Sequence, residues 1–378
     1  MRVKAIPLPG RLLETMAKTE QNPRYHAEGS VLAHTEMVVQ KFHELKSRFS
    51  LNASDERVLY WAAVLHDIGK TQTTRFEDGR WRSPGHEQAG VSMARDLILE
   101  NAELGAGERR KILDLVRWHG FPLKWVKYSQ DMSKLKTLGT KTDLRLLGIF
   151  SVFDFQGRLC EDKVETMALI EEFQQKFVPK AEYELGRFDD LQATFKSWNL
   201  RHKNAAWNAL KLGNINLVER LLDAREYQDY QSFGKKVYLT IGPPLSGKSH
   251  FIEHEMAGHF HVRLEDYDIN EQLLQHEYVF GRKMVEFKHF LTIYLNRHRH
   301  VVLEGRNLNE ELRKRLNEVI RGMDVELEYL VFENTLQELQ SRNAEVENAM
   351  AEAEIEAAYR KLDLVHPWEA HSMQLLRH

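Results

Sequence analysis

Cysteine is nearly absent, Cys160 being the only one in 378 residues. A lone thiol excludes an internal disulfide framework and any cysteine-rich zinc site. Long apolar runs are missing too, so no segment is expected to span a bilayer, and Met1 to Gly10 lack the apolar core of a signal peptide. The expectation is a cytoplasmic protein. Nor is there an excess of one charge. A net charge of -3 gives no global preference for nucleic acid and leaves that question to local patches. Histidine is what the chain has in plenty. Eighteen of them leave metal chemistry by imidazole and carboxylate open. The length exceeds what one ordinary core serves, so two domains with a helical connector are expected.

The N-terminal half reads as helices that end on polar residues. Ser30 is a good N-cap for a helix with Val31, Val38, Phe42 and Leu45 on one face and His34 one turn in. A second helix begins after Ser54 and runs through Ala62-Ala63-Val64-Leu65 into His66-Asp67. It is expected to stop at Gly69 as a C′ residue, with Lys70 projecting from the break. Thr71 to Pro84 reads as polar, extended chain with a turn at Asp78-Gly79. Gly85-His86-Glu87 opens another helix, Glu108 to Trp118 forms the next and leads into His119, and a last apolar helix carries Leu144, Leu147, Phe150, Phe153 and Asp154. Burying an isolated His or Asp is costly, and a cation offsets that cost. Helices that each deliver such a residue are how a bundle builds an internal metal site.

The run His26-x-Glu28-Gly29, His34-Thr35, His66-Asp67-Ile68-Gly69-Lys70, Gly85-His86-Glu87, His119 and Asp154-x-x-Gly157-Arg158 resembles the HD phosphohydrolase superfamily, in the branch seen in CCA-adding enzymes. The resemblance implies one metal on His34, His66, Asp67 and Asp154, and a second on Asp67, His86 and His119, with Asp67 bridging. Such ligands suit Mn, Ni, Co, Fe, Zn or Mg, and two ions together would activate water and grip a phosphate. Lys70 and Arg158 would offset transition-state charge. Glu36, Glu87 and Asp96 read as supporting or surface groups. No nucleotidyltransferase head precedes residue 22, so CCA addition is not expected.

Between Glu108 and Arg145 ten lysines and arginines face four acids, with Trp118, Phe121, Trp125 and Tyr128 among them. Its part after His119 reads as a basic, loop-like stretch; the segment joins His119 to Asp154, and cations interleaved with aromatics are what a single strand needs. Residues 163–234 read as a helical bridge.

The C-terminal half opens with Lys236-Val-Tyr-Leu-Thr-Ile241 running directly into Gly242-Pro-Pro-Leu-Ser246-Gly247-Lys248-Ser249 and a helix from His250. A strand feeding Gly-x-x-x-x-Gly-Lys-Ser and then a helix is the context of a P-loop. Loop N–H groups would cradle phosphates, Lys248 would reach the β and γ phosphates, and Ser249 would ligate Mg of an Mg-NTP, ATP or GTP. Strands are further expected over 259–264, 300–303 and 326–332. This half resembles polynucleotide 5′-kinases. Glu265, Asp266 and Asp268 compete for the role of the acid that takes the hydroxyl proton, and spacing does not choose among them. Glu304 to Asn309 resembles the family's Asp-Thr-Asn-Leu-Asn segment but lacks its expected carboxylate at Gly305-Arg306, where Arg306 can meet a phosphate. Arg342 matches the first lid arginine, whereas glutamates stand where a second would be.

Taken together, the chain resembles the HD-Pnk family of end-healing enzymes. This implies a multidomain protein: an all-α HD bundle over residues 1–162, a helical connector over 163–234, and an α/β kinase domain with a parallel sheet over 235–378. The implied activities are 5′-OH kinase and 2′/3′-phosphatase or cyclic phosphodiesterase on RNA or DNA ends, which a ligase would then join. Two other readings are a small-molecule kinase fused to a nucleotide phosphohydrolase, and a phosphatase gated by an NTP sensor. Oligomeric state is not legible.

Overall fold

The computed structural model describes residues 6–186, 234–323, 325–366 and 369–377. The chain divides into two compact units, Met1–Arg187 and Phe188–His378.

The first unit is helical. Its elements are α1 (Gly10–Lys18), α2 (Val31–Leu45), α3 (Ala53–Leu65), the short α4 (Lys70–Thr73), a hairpin of β1 (Arg75–Glu77) and β2 (Arg80–Arg82), α5 (His86–Leu99), α6 (Ala106–Trp118), α7 (Phe121–Tyr128), α8 (Met132–Gly139), α9 (Leu144–Gln156), α10 (Lys163–Glu172) and α11 (Val178–Gly186). The core forms around α9, whose residues from Leu144 to Phe155 are buried with the sole exception of the partly covered Arg145. A helix that is apolar all round has neighbours on every side, here α2, α3, α6, α7, α10 and α11. Burying Phe150 and Phe153 alone contributes about 1.5–3 kcal/mol each. Ser30 caps α2 as expected, its Oγ accepting from Ala33 N at 3.2 Å. α3 begins at Ala53, earlier than the expected start after Ser54, and is capped by Asn52, whose Oδ1 accepts from Asp55 N at 2.9 Å.

Three expectations change here. Gly69 is not a left-handed C′ residue, since its φ is -64°. It is glycine because a Cβ there would lie 2.1 Å from His86 O and 2.4 Å from Gly90 N. The turn after α3 thus presses on the backbone of α5. The stretch after it is a turn of helix, α4, followed by the β1–β2 hairpin, whose tip residues Asp78 and Gly79 both have positive φ, 51° and 73°. The basic segment after His119 folds as α7 and α8 instead of a loop. Trp125 belongs to the core, its Nε1 donating to Asp131 O at 2.9 Å and its ring lying 5.5 Å from Phe173 and 5.0 Å from Phe177. It is therefore no stacking platform, whereas Tyr128 is 83% exposed. Of the segment assigned to the connector, α10, a π turn at Phe173–Phe177 and α11 pack on α9, and residues 187–233 lie outside the described residues.

The second unit contains β3 (Lys236–Ile241), α12 (Lys248–Glu255), β4 (Phe260–Arg263), α13 (Glu277–Arg297), β5 (His300–Glu304), α14 (Glu310–Arg321), β6 (Glu326–Phe332), α15 (Leu336–Glu345), α16 (Glu352–Arg360) and β7 (Ser372–Leu376). The strands form one sheet in the order β4-β5-β3-β6-β7, every pair parallel. Val237, Leu239 and Ile241 are buried on β3, and β6 from Leu327 to Phe332 is buried throughout, the signature of a sheet covered on both faces. Because β3 lies between β5 and β6, the chain emerging at Gly242 stands beside the end of β5 at Glu304. Ligands of open α/β sheets bind at the carboxyl ends of such strands.

Candidate functional site

Four histidines of the first unit present the same ring nitrogen to one point. His66 Nδ1 lies 3.1 Å from Ala63 O, His86 Nδ1 2.8 Å from Ser83 O, and His119 Nδ1 2.8 Å from Val116 O. His34 Nδ1 lies 2.9 Å from Glu28 Oε1. Carbonyl oxygens only accept, so Nδ1 of His66, His86 and His119 is the donor, which leaves the Nε2 atom of each facing inward, while His34 Nδ1 faces the Glu28 carboxylate as an ion-pair contact. Fixing the tautomer through the far nitrogen is how proteins prepare imidazole as a metal ligand.

Asp67 stands between two sets of these nitrogens. Its Oδ2 is 3.3 Å from His66 Nε2 and 3.7 Å from His34 Nε2, whereas its Oδ1 is 3.5 Å from Nε2 of both His86 and His119. Asp154 Oδ1 completes the first set, 3.1 Å from His34 Nε2 and 3.9 Å from His66 Nε2. All six residues expected to hold metal in this half therefore meet. His34, His66 and Asp67 form one group able to hold an ion, and Asp67, His86 and His119 form another.

Divalent ions fit these side chains. His66 Nε2 and Asp67 Oδ1 are buried with no hydrogen-bond partner, a costly arrangement unless a cation sits between them. His86 and His119 bring two Nε2 atoms within 3.3 Å. Burial works against charge on Asp67, but Lys70 and His66 hold its carboxyl well below the usual range. Burial likewise opposes charge on Asp154, and Arg158 and His34 overcome it. His86 is driven down to about 4, chiefly by burial, which keeps its Nε2 unprotonated at neutral pH. Bound there, such ions supply Lewis acidity toward a phosphate oxygen and toward water.

The two expected cations are already placed. Lys70 Nζ donates to Asp67 Oδ2 and to Gln21 Oε1, both at 2.7 Å, so it is buried in the site and does not project from the break. Arg158 forks onto Asp154 at 3.1 and 2.5 Å. Glu28 lies within the motif, which assigns it no role. It sits behind His34 and also accepts from His26 Nδ1 at 2.8 Å, and only the fold shows that it aims a ligand.

In the second unit Gly247 adopts φ 94°, which lets the loop turn into α12. Lys248 Nζ donates to Gly242 O at 3.0 Å, Pro243 O at 2.6 Å and Ser246 Oγ at 3.2 Å. Burial lowers its pKa to about 8, with Glu304 and Glu265 opposing and Arg306 reinforcing that change. Ser249 Oγ donates to Glu304 Oε1 at 2.5 Å. Glu304 thus supplies, at the end of β5, a carboxylate beside the residue expected to bind Mg. The resemblance to polynucleotide kinases implies a carboxylate one or two positions later, at Gly305-Arg306, where this chain has none. All three competing acids are exposed; Glu265 lies in the field of Lys248, whereas Asp268 is engaged by Lys283 Nζ at 2.9 Å. Arg342 Nη1 donates to Leu245 O at 3.0 Å. It lines a cavity of about 680 Å³ with Ser246, Gly247, Lys248, Ser249 and His250. Arg306 is turned toward Glu354 at 3.8 Å.

Comparison with known proteins agrees with this layout. The HD domain model matches residues 31–154, and an AAA domain model matches residues 237–364. The chain carries an HD domain followed by a P-loop kinase-like domain. A "Multifunctional CCA protein" from Actinobacillus pleuropneumoniae is 27% identical over 141 residues, 37% of this chain and 30% of that relative. One from Halorhodospira halophila is 34% identical over 99 residues, 26% and 21% of the two chains. The chain thus covers less than a third of these curated relatives. No described helix is long and apolar enough to cross a membrane.

Proposed function

We propose that the protein heals nucleic-acid ends. Its first unit removes a 2′- or 3′-phosphate, or opens a 2′,3′-cyclic phosphate, with two divalent ions on His34, His66, Asp67, Asp154, His86 and His119. Its second unit transfers the γ-phosphate of Mg-ATP or Mg-GTP to a 5′-OH, with Glu265 accepting the hydroxyl proton and Lys248, Ser249, Glu304, Arg306 and Arg342 holding the nucleotide, its Mg and the phosphates. The product is an end a ligase can join, and the cytoplasm is where both substrates are met.

The observation that carries this reading is Asp67, whose two oxygens face two separate sets of Nε2 atoms in a chain that also bears a P-loop. A two-ion centre suits phosphoester hydrolysis, and the excess of lysine and arginine over acids between Glu108 and Arg145 supports a polynucleotide substrate, although Lys124 and Lys127 are paired with Glu87 and Asp162. A gating reading has one support: Glu345 lines the nucleotide cavity where a second lid arginine would stand.

Incubation with γ-labelled NTP and a 5′-OH oligonucleotide tests the proposal. Label in the oligonucleotide supports it, label in free nucleosides points to a small-molecule kinase, and NTP-dependent phosphatase activity without transfer points to gating. Lys248→Ala should abolish transfer and retain metal-dependent phosphatase activity, and Asp67→Ala should do the opposite.

A further inference from the structure

The metal site opens into a cavity of about 350 Å³ lined by Tyr25, His26, Lys70, Arg80, Trp81 and His86, among others. On its inner side Lys70 and His86 both face Asp67. Its rim is the β1–β2 hairpin, and nothing in the expected chemistry uses that element. Two three-residue strands contribute little stability by themselves, yet this pair carries Phe76 and Trp81 as a cross-strand edge-to-face couple with centroids 5.1 Å apart. Phe76 is 60% exposed, so the couple props Trp81 rather than filling a core.

The cations of the hairpin are not equivalent. Arg75 pairs with Glu77 at 2.7 Å. Arg82 donates through Nη2 to Asp78 Oδ2 at 2.9 Å, while its Nε is buried with no partner. Arg80 is exposed at the rim and makes no ion pair among the described residues. Across the mouth, Tyr25 is 44% exposed with the Arg24 guanidinium 5.7 Å from its ring centre.

We propose that this mouth recognises the terminal nucleoside of the strand whose phosphate the metal site hydrolyses. Trp81 and Tyr25 stack its base, and Arg80 and Arg82 hold the adjoining backbone phosphate. An exposed Tyr25 and a half-buried Trp81 are flanked by Arg80, unpaired among the described residues, and by Arg82, whose Nε has no partner. Next to a phosphate-handling centre, this set is complementary to a single-stranded polynucleotide end. A phosphorylated sugar or peptide offers no base for the rings. The proposal rests on the end-healing reading and assigns its specificity to the hairpin, not to the segment between Glu108 and Arg145.

The test compares Trp81→Ala, Trp81→Phe and Arg80→Ala with the parent chain, all loaded with Mn. One measurement is anisotropy of a labelled oligonucleotide ending in a 3′-phosphate. The other is the ratio of kcat/KM for that oligonucleotide to kcat/KM for p-nitrophenyl phosphate. Trp81→Ala and Arg80→Ala should each weaken binding and lower the ratio by about 10-fold or more, the effect of losing one stacked base or one phosphate contact, and Trp81→Phe should restore most of it. An unchanged ratio, with both substrates losing equally or neither losing, would show that the hairpin only buttresses the metal site, and would leave the end-healing reading standing. If the parent chain hydrolyses p-nitrophenyl phosphate but neither binds nor hydrolyses the oligonucleotide, that reading fails and the hairpin proposal with it.

Discussion

Replacing Gly69 with alanine tests whether the spacing of α5 sets the metal site. A Cβ at this position would lie 2.1 Å from His86 O and 2.4 Å from Gly90 N, and both neighbours are backbone. Relief to an ordinary contact of 3.4 Å requires a relative movement of about 1.3 Å between the turn and α5. Such overpacking costs about 1–3 kcal/mol. His86 rides on α5, and its Nε2 faces Asp67 Oδ1 across 3.5 Å. Metal–ligand distances tolerate only about ±0.2 Å, so a shift several times larger removes His86 from the set that includes His119. His34, His66 and Asp154 do not depend on α5. The expectation for Gly69→Ala is therefore a folded protein with a lowered Tm that binds one Mn at near-parental affinity and the second at least about 10-fold more weakly. Isothermal titration with Mn, alongside a thermal melt, reads both quantities. Two sites of parental affinity at a parental Tm would refute the argument that this glycine exists to bring α5 against Asp67.

Other perturbations probe groups the sequence left silent. Glu28→Gln keeps the shape but removes the charge behind His34, so Mn affinity should fall about 10- to 100-fold, measured by competition with a chelator. Glu304→Gln should weaken Mg-dependent NTP binding, followed with a fluorescent NTP analogue, and leave metal-free nucleotide binding less affected. Asp114 is buried with one oxygen unpartnered, and burial raises its pKa from 3.8 to about 7. Its folded value lies above its unfolded one, so its cost to stability is fully present above about pH 7, shrinks as pH falls and vanishes below 3.8. Asp114→Asn should raise Tm at pH 8 by removing up to about 4 kcal/mol of that cost, with a smaller gain at pH 5.5, in melts across pH. Arg313 and Glu369 form a fully buried pair at 2.8 Å. Arg313→Ala should cost the second unit about 3–5 kcal/mol in denaturant unfolding.

Much of the fold was legible because its strongest elements are the most one-sided. The apolar run from Leu144 to Phe155 and the run from Lys236 into Gly242 each admit one placement, the first in the middle of a helical unit and the second at the centre of a parallel sheet. Elements stabilised by their neighbours were harder to read. β7 reads Ser-Met-Gln-Leu-Leu, with no β-branched residue, and is a strand because the edge of β6 offers it a parallel partner. The α7 and α8 segment is polar enough to pass for a loop, and the contact of Trp125 with Phe173 and Phe177 is made by residues 48 and 52 positions later in the chain.

The same division runs through the sites. Residues whose chemistry is intrinsic, such as His66, Asp67 and Lys248, were visible as types in a pattern. Residues that act through position were not. Gly69 signals a helix end in sequence and proves to be a spacer, Glu28 lies in a motif but acts on a residue six positions on, and Glu304 matters because β5 pairs with β3. Each supports a neighbour that the motif does name: Asp67 and His86 by close approach, His34 by setting a carboxylate 2.9 Å from Nδ1, Ser249 by accepting its hydroxyl hydrogen. A motif therefore marks which groups can react, whereas the packing of α5 on the turn after α3, and of β5 beside β3, decides whether they are held where they can.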